Sequence, residues 1–323
     1  MKTPNPLTRR RWIATAGTLA AGAAALPWKK AHAIDYTKPV KEAEGLTAYA
    51  NHGNLFIRWN NQPLVNYRAQ KDLKYPYFHP VNGPLSGLPL TAETALPYPH
   101  HRGIWLGVHP LNGGDYWSDQ PLETGQIQST GLKLIEEKST PTSASFTDQC
   151  DWVWPKHPSP FKDQRTFTVK MVPEQKLWTL EMDIKLKALE DIVIKKAKHS
   201  FLAIRVASDI SCPYGGTLMN SEGGTGAKGT YGQEAKWCGY HGKRKLNPDI
   251  IEGITMMTHP KNPWRPVWFT REYGHLSPSP FNFLDEPWQL KKGADLHLRY
   301  QFVLHAQSPK EAGVDAIYEN WVK

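Results

Sequence analysis

The chain has 323 residues, with 39 Lys and Arg against 30 Asp and Glu, for a formal charge of +9. Six of those bases and no acid fall in residues 1–33, so the remainder holds 33 bases against 30 acids and its charge is +3. A balance so near neutral, with no basic helix and no aromatic-basic RNA motif, argues against nucleic acid as a partner. The three cysteines, Cys150, Cys212 and Cys238, form neither a disulfide framework nor a paired-cysteine metal motif. One Cys212 to Cys238 bridge and three free thiols both remain open.

At the N-terminus, Thr8-Arg9-Arg10-Arg11-Trp12-Ile13 supplies a twin-arginine n-region, Ala14 to Leu26 an apolar stretch, and Ala31-His32-Ala33 a small-residue cleavage pattern. The apolar stretch falls short of the ~20 residues that span a bilayer, so it predicts a cleaved signal without stable membrane insertion. Residues 1–33 are therefore expected to be a twin-arginine signal peptide that meets the Tat export machinery. Residues 34–323 are expected to be a single β-sandwich domain working in the periplasm or outside the cell after cleavage near Ala33.

Along the remainder the apolar pattern has the period of strands. Asn54 to Trp59, Arg165 to Val169, Leu177 to Ile184 and Leu296 to Leu304 all alternate, the last placing Leu296, Leu298, Tyr300, Phe302 and Leu304 on one face. Gly and Pro (25 and 27 residues) punctuate these runs, as a large antiparallel sandwich requires. The fold class is thus all-β with a short C-terminal helix, read over Ser308 to Val322 with Ser308 as cap and Pro309 at the first helical position. Trp152, Trp154, Trp264, Trp268 and Trp288, in or beside loops, are candidate platforms for sugar rings.

Reactive side chains are densest from Tyr98 to Trp117, which reads YPHHRGIWLGVHPLNGGDYW. Strand alternation puts His101, Gly103, Trp105, Gly107 and His109 on one face and Arg102, Ile104, Leu106 and Val108 on the other, the glycines leaving room for a ligand. Farther on, Gly224 to Gly229 matches a dinucleotide-loop spacing, but no long helix follows, and it reads as a mobile loop. His259-Pro260-Lys261-Asn262-Pro263 places polar groups on a proline-stiffened turn, and Arg271 to His275 adds a cation and an imidazole. His199 and Arg205 are expected to share a strand face with Phe201 and Ala203, pairing internally with a carboxylate such as Glu181 or Asp183.

Five stretches, Pro99 to Trp105, Asn112 to Trp117, Ala235 to Tyr240, His259 to Pro263 and Arg271 to Gly274, together resemble the methane oxygenase PmoA-like family, a domain of unknown function. The resemblance implies a β-supersandwich of the galactose-mutarotase type and carbohydrate work outside the cytoplasm. The expected function is that of an exported enzyme on a saccharide or keto-sugar derivative, by hydrolysis, elimination or epimerisation. His101 or His259 would act as base and Arg102 as cationic stabiliser, with His100, Asn112, Asp115, Trp117, Lys236, Lys261, Asn262 and Arg271 binding substrate. These groups are expected to form one composite site, with no cofactor assigned. Two rival readings are a non-catalytic saccharide-binding protein and a metal-dependent enzyme, including the oxygenase of the family name, with His100, His101 and His109 as ligands.

Overall fold

In the computed structural model, which describes residues 43–323, the alternating runs become two large antiparallel sheets. The eight-stranded sheet starts with neighbours in sequence, Leu46–Asn51, Asn54–Trp59, Gln62–Arg68, Tyr77–Val81 and Ile104–His109. It then takes His199–Arg205, His275–Ser277 and Phe269–Arg271 from far down the chain. The nine-stranded sheet is built on the long strands Ser143–Val153, Phe161–Val172, Leu177–Ala188, Asp295–Ala306 and Asn247–Thr258. The expected signal peptide lies outside the described residues. Among the described residues no helix is long and apolar enough to cross a membrane.

Period-two burial explains the stacking. In Phe161–Val172 the side chains of Phe161, Asp163, Arg165, Phe167 and Val169 turn inward while Lys162 and Gln164 face out. Tyr67 and Phe78 from one sheet meet Phe146 and Phe167 from the other, with centroids of Tyr67 4.7–5.4 Å from the three phenyl rings. Each such side chain taken from water contributes roughly 1.5–3 kcal/mol. Two inward positions are charged, and they satisfy each other: Arg165 donates through Nε and Nη2 to the Asp163 carboxylate, both at 2.8 Å, and Trp152 Nε1 adds a third bond at 2.8 Å.

Leu296, Leu298, Tyr300, Phe302 and Leu304 share the core face as expected. From Tyr300 onward the strand is buried on both faces, because the C-terminal helix packs Val314 and Tyr318 against Val303, Leu177, Trp237 and Met257. That helix runs only over Val314–Trp321. Ser308 and Glu311 do cap each other, Ser308 N to Oε2 at 3.1 Å and Glu311 N to Ser308 Oγ at 3.3 Å, but they close an isolated turn. Gly313, left-handed at φ +69°, separates that turn from the helix, which corrects the expected start. Two further corrections concern loops. The glycine-rich run forms the short helix Gly226–Thr230, tied to the strand Phe269–Arg271 by Thr230 Oγ1 and Thr270 Oγ1 at 2.9 Å. Trp152 and Trp268 are fully buried core residues, their indole nitrogens held by Asp163 and the Ala235 carbonyl, and so are no sugar platforms. All three cysteines are free.

Candidate functional site

Five histidines come together where Ile104–His109, His199–Arg205 and His275–Ser277 lie side by side. The approach to the first of these strands is fixed by Gly103, at φ +61°, where a Cβ would run into the Phe78 carbonyl. The chain therefore bends just before the strand, and the rings of the adjacent His100 and His101 end only 4.7 Å apart. From there imidazole follows imidazole: His101 to His275 at 4.6 Å, His100 to His199 at 5.7 Å, His199 to His109 at 6.2 Å. Trp105 stacks beneath His101 at 5.4 Å and Trp117 beneath His199 at 5.5 Å. The expected room above Gly107 is not open to a ligand. The backbone of Tyr116 and Trp117 fills it, the Tyr116 carbonyl 2.5 Å from where a Cβ would stand.

Hydrogen bonds assign distinct states to these rings. Arg205 Nη1 lies 3.3 Å from His101 Nδ1; a guanidinium only donates, so Nδ1 accepts and the proton of the neutral ring sits on Nε2. Burial first, then His275, His100 and Arg205, hold the pKa of His101 far below the usual imidazole range. His275 is held well below it by complete burial and then by His199 and Arg205. Burial, His100 and His109 push His199 down to about 4, against an opposing pull from Asp115. His100 differs in kind: its Nδ1 meets the Asp119 carboxylate at 3.0 Å, an imidazole–carboxylate pair near the surface. Above the group, Tyr98 and Tyr273 stack at 5.2 Å, and the Arg205 guanidinium lies 4.6 Å from the Tyr273 ring.

Below it, Trp105 Nε1, Trp117 Nε1, Arg205 Nε and both nitrogens of His275 are buried and meet no protein partner among the described residues. Buried polar atoms are as a rule hydrogen-bonded, so several such atoms in one place single out this region as a candidate site. Among the described residues no three His, Cys, Asp or Glu side chains are placed to hold a metal ion.

The residues named from sequence divide among several places. Arg102 turns the other way from His101, over the Tyr77 ring at 5.9 Å, and the guanidinium beside His101 is that of Arg205. Among the described residues Arg205 in turn has no carboxylate partner: Glu181 accepts from Trp321 and Asp183 from His297, so the expected internal pairing does not form. Phe201, at φ +59°, leaves the His199 face and packs on Trp264 and Phe281. Asp115 caps its own turn, accepting from Trp117 N and Ser118 N at 2.9 Å, and Trp117 is wholly buried. Asn112 ties the Glu190–Val193 segment, accepting from Val193 N at 2.9 Å. Arg271 borders the site, its guanidinium 4.2 Å from the Phe269 ring and 4.9 Å from that of Tyr231.

The expected composite site does not form. His259, Lys236 and Asn262 line a second cleft that takes no residue from the histidine group. There Asn262 brackets Arg299 like an extra ladder rung, with bonds of 2.7 and 2.9 Å to its N–H and carbonyl, and Lys261 N donates to His259 Nδ1 at 3.1 Å. Sequence reasoning passed over Asp119, Tyr98 and Tyr273 as site residues. Asp119 lies nineteen residues from His100 with no local motif linking them, and only the strand register brings Tyr273 to Tyr98.

Fold and site together define an antiparallel β-sandwich protein with a cluster of histidines on one sheet. The chain belongs to the family of unknown function DUF6807, whose model matches residues 52–319. That match by itself does not extend to the PmoA-like resemblance. No curated protein matches the sequence. Among solved structures, the chain is similar to an α-galactosidase from Lactobacillus brevis, at 9% identity over 84% of this chain and 40% of that one with a TM-score of 0.35. A candidate aldose 1-epimerase from Klebsiella pneumoniae is 9% identical over 85% and 87% of the two chains with a TM-score of 0.40, and the Slr1438 protein of Synechocystis 9% identical over 84% and 100% with a TM-score of 0.37. The chain spans about 40% of the length of the α-galactosidases it matches. Likeness of this degree does not bear on substrate or reaction.

Proposed function

We propose that the protein is an acid–base enzyme acting at the histidine cluster on a saccharide or keto-sugar derivative. The observation that carries this reading is the pairing of two chemically different imidazoles 4.7 Å apart: His100, oriented by Asp119, and neutral His101, fixed by Arg205. With Nδ1–H donated to Asp119, His100 presents the Nε2 lone pair as a base. It removes the proton next to a carbonyl, and the oxygen that becomes negative accepts from His101 Nε2–H, a donor that its buried surroundings keep uncharged. Return of a proton from solvent water to the opposite face, with His100 releasing the one it took, gives epimerisation; departure of the group on the next carbon as its alcohol, protonated by His100, gives elimination. The Tyr98 and Tyr273 rings offer a flat apolar edge suited to a sugar ring. Arg102 and His259 take no part in this scheme, since they stand elsewhere.

Incubation with 3-keto glycosides in deuterated water tests the proposal through exchange of the hydrogen next to the carbonyl, followed by NMR. His100→Ala is expected to slow exchange by roughly 10²–10⁴-fold, and Asp119→Asn to slow it in the same direction, with the melting temperature held. Saccharide binding without exchange or product would instead support the non-catalytic reading, which the Tyr98–Tyr273 stack also suits. We further propose twin-arginine export, on the strength of residues 8–33. N-terminal sequencing of periplasmic protein should begin near Ile34, and a cytoplasmic form retaining Met1 refutes it.

A further inference from the structure

The second cleft, about 590 Å³ in volume, is open along one side and distinct from the histidine group. Its lining includes Glu222, Glu234, Lys236, His259, Trp264 and Tyr318. Trp264 is half-buried and braced from behind by three rings, Phe201 at 5.0 Å, Phe281 at 5.2 Å and Trp288 at 5.8 Å, so it enters the cleft as a rigid plane. A rigid aromatic plane loses little entropy on binding, which is why such rings anchor ligands. Around it stand groups of both hydrogen-bonding kinds. His259 accepts on Nδ1 from Lys261 N, so its neutral ring turns Nε2–H outward as a donor. Burial and the nearby Arg299 and Lys261 push its pKa down to about 4, which keeps that ring uncharged. Glu222 and Glu234 supply carboxylate acceptors.

Charge decides what such a lining selects. Two acids, Glu222 and Glu234, face two bases, Lys236 and Arg265, and both bases are already paired, Lys236 with Glu319 and Arg265 with Glu234, each at 2.8 Å. Among the lining side chains both cations are thus already paired, and a cation finds one unpaired carboxylate, that of Glu222. A neutral ligand with a flat apolar face and a rim of hydroxyls fits both the plane and the mixed donors and acceptors. We propose that this cleft is a binding site for an uncharged saccharide of about disaccharide size, separate from the histidine cluster and holding its ligand on Trp264.

Saturation-transfer NMR of the full protein with maltose, cellobiose, lactose and melibiose at millimolar concentration tests this. At least one is expected to receive saturation from the unaltered protein and from His101→Ala alike. Trp264→Ala should weaken that binding by about tenfold or more. Glu222→Ala, an exposed change that leaves the aromatic brace intact, should weaken it by about threefold or more; it decides the matter alone if Trp264→Ala fails to fold by circular dichroism. Absence of transfer from all four sugars overturns the proposal, as does binding that neither variant alters. Binding lost in His101→Ala but kept in Trp264→Ala also overturns it, by placing the sugar at the histidine cluster, and leaves the proposed function standing.

Discussion

Replacing His275 with Phe isolates the energetic consequence of burying uncharged imidazoles. His275 is 2% exposed, lies against His101, Trp105, Trp117 and Phe269, and neither ring nitrogen has a protein partner among the described residues. Its folded pKa is well below the 6.5 of the free side chain. The unfolded chain thus takes up a proton as pH falls through 6.5 while the folded one does not, and stability present above that pH is lost below it. The loss approaches about 1.4 kcal/mol per pH unit, or about 2 kcal/mol between pH 6.5 and pH 5. Phe carries no such proton. Urea unfolding of both proteins at pH 7.5 and pH 5 should show the stability difference moving toward the Phe variant by about 2 kcal/mol. The packing change from His to Phe contributes equally at both pH values, so it cancels from this comparison. A difference constant to within about 0.5 kcal/mol would refute the reasoning, since His275 would then titrate alike folded and unfolded.

Asp163→Asn leaves the Arg165 guanidinium buried without its carboxylate and is expected to cost about 3–5 kcal/mol by chemical denaturation. The double change Asp163→Leu with Arg165→Met should recover more than half of that loss, and failure to do so would show a role beyond pairing. Gly103→Ala combines a left-handed backbone with a Cβ driven into the Phe78 carbonyl; a melting temperature within about 2 °C of the unaltered protein would contradict that geometry. Arg205→Met removes the donor on His101 Nδ1, and ¹⁵N NMR of the ring should change from the Nε2–H form to a mixture of tautomers. An unchanged spectrum would mean that Arg205 does not set the tautomer.

The legible part of this protein is the part that burial writes locally. A strand half-facing a core must alternate, so Asn54–Trp59 and the inward row from Leu296 to Leu304 could be read one residue at a time. The C-terminal helix was read too early because the Ser308 and Glu311 capping pair looks the same whether one turn or several follow it. The concentration of histidines before His109 could likewise be seen as a site, but not how its members divide their work.

Composition and period therefore determine, from the sequence alone, an all-β chain and one segment rich in reactive groups. Strand register decides the rest. It sets His199 opposite His109, brings Arg205 opposite His275, and carries Arg102 and His259 away from both. These pairings join residues 90 and 70 positions apart, and no local periodicity records which distant strand will lie alongside. Only the folded chain makes His100 a partner of Asp119 at the surface and His101 a buried neutral ring held by Arg205.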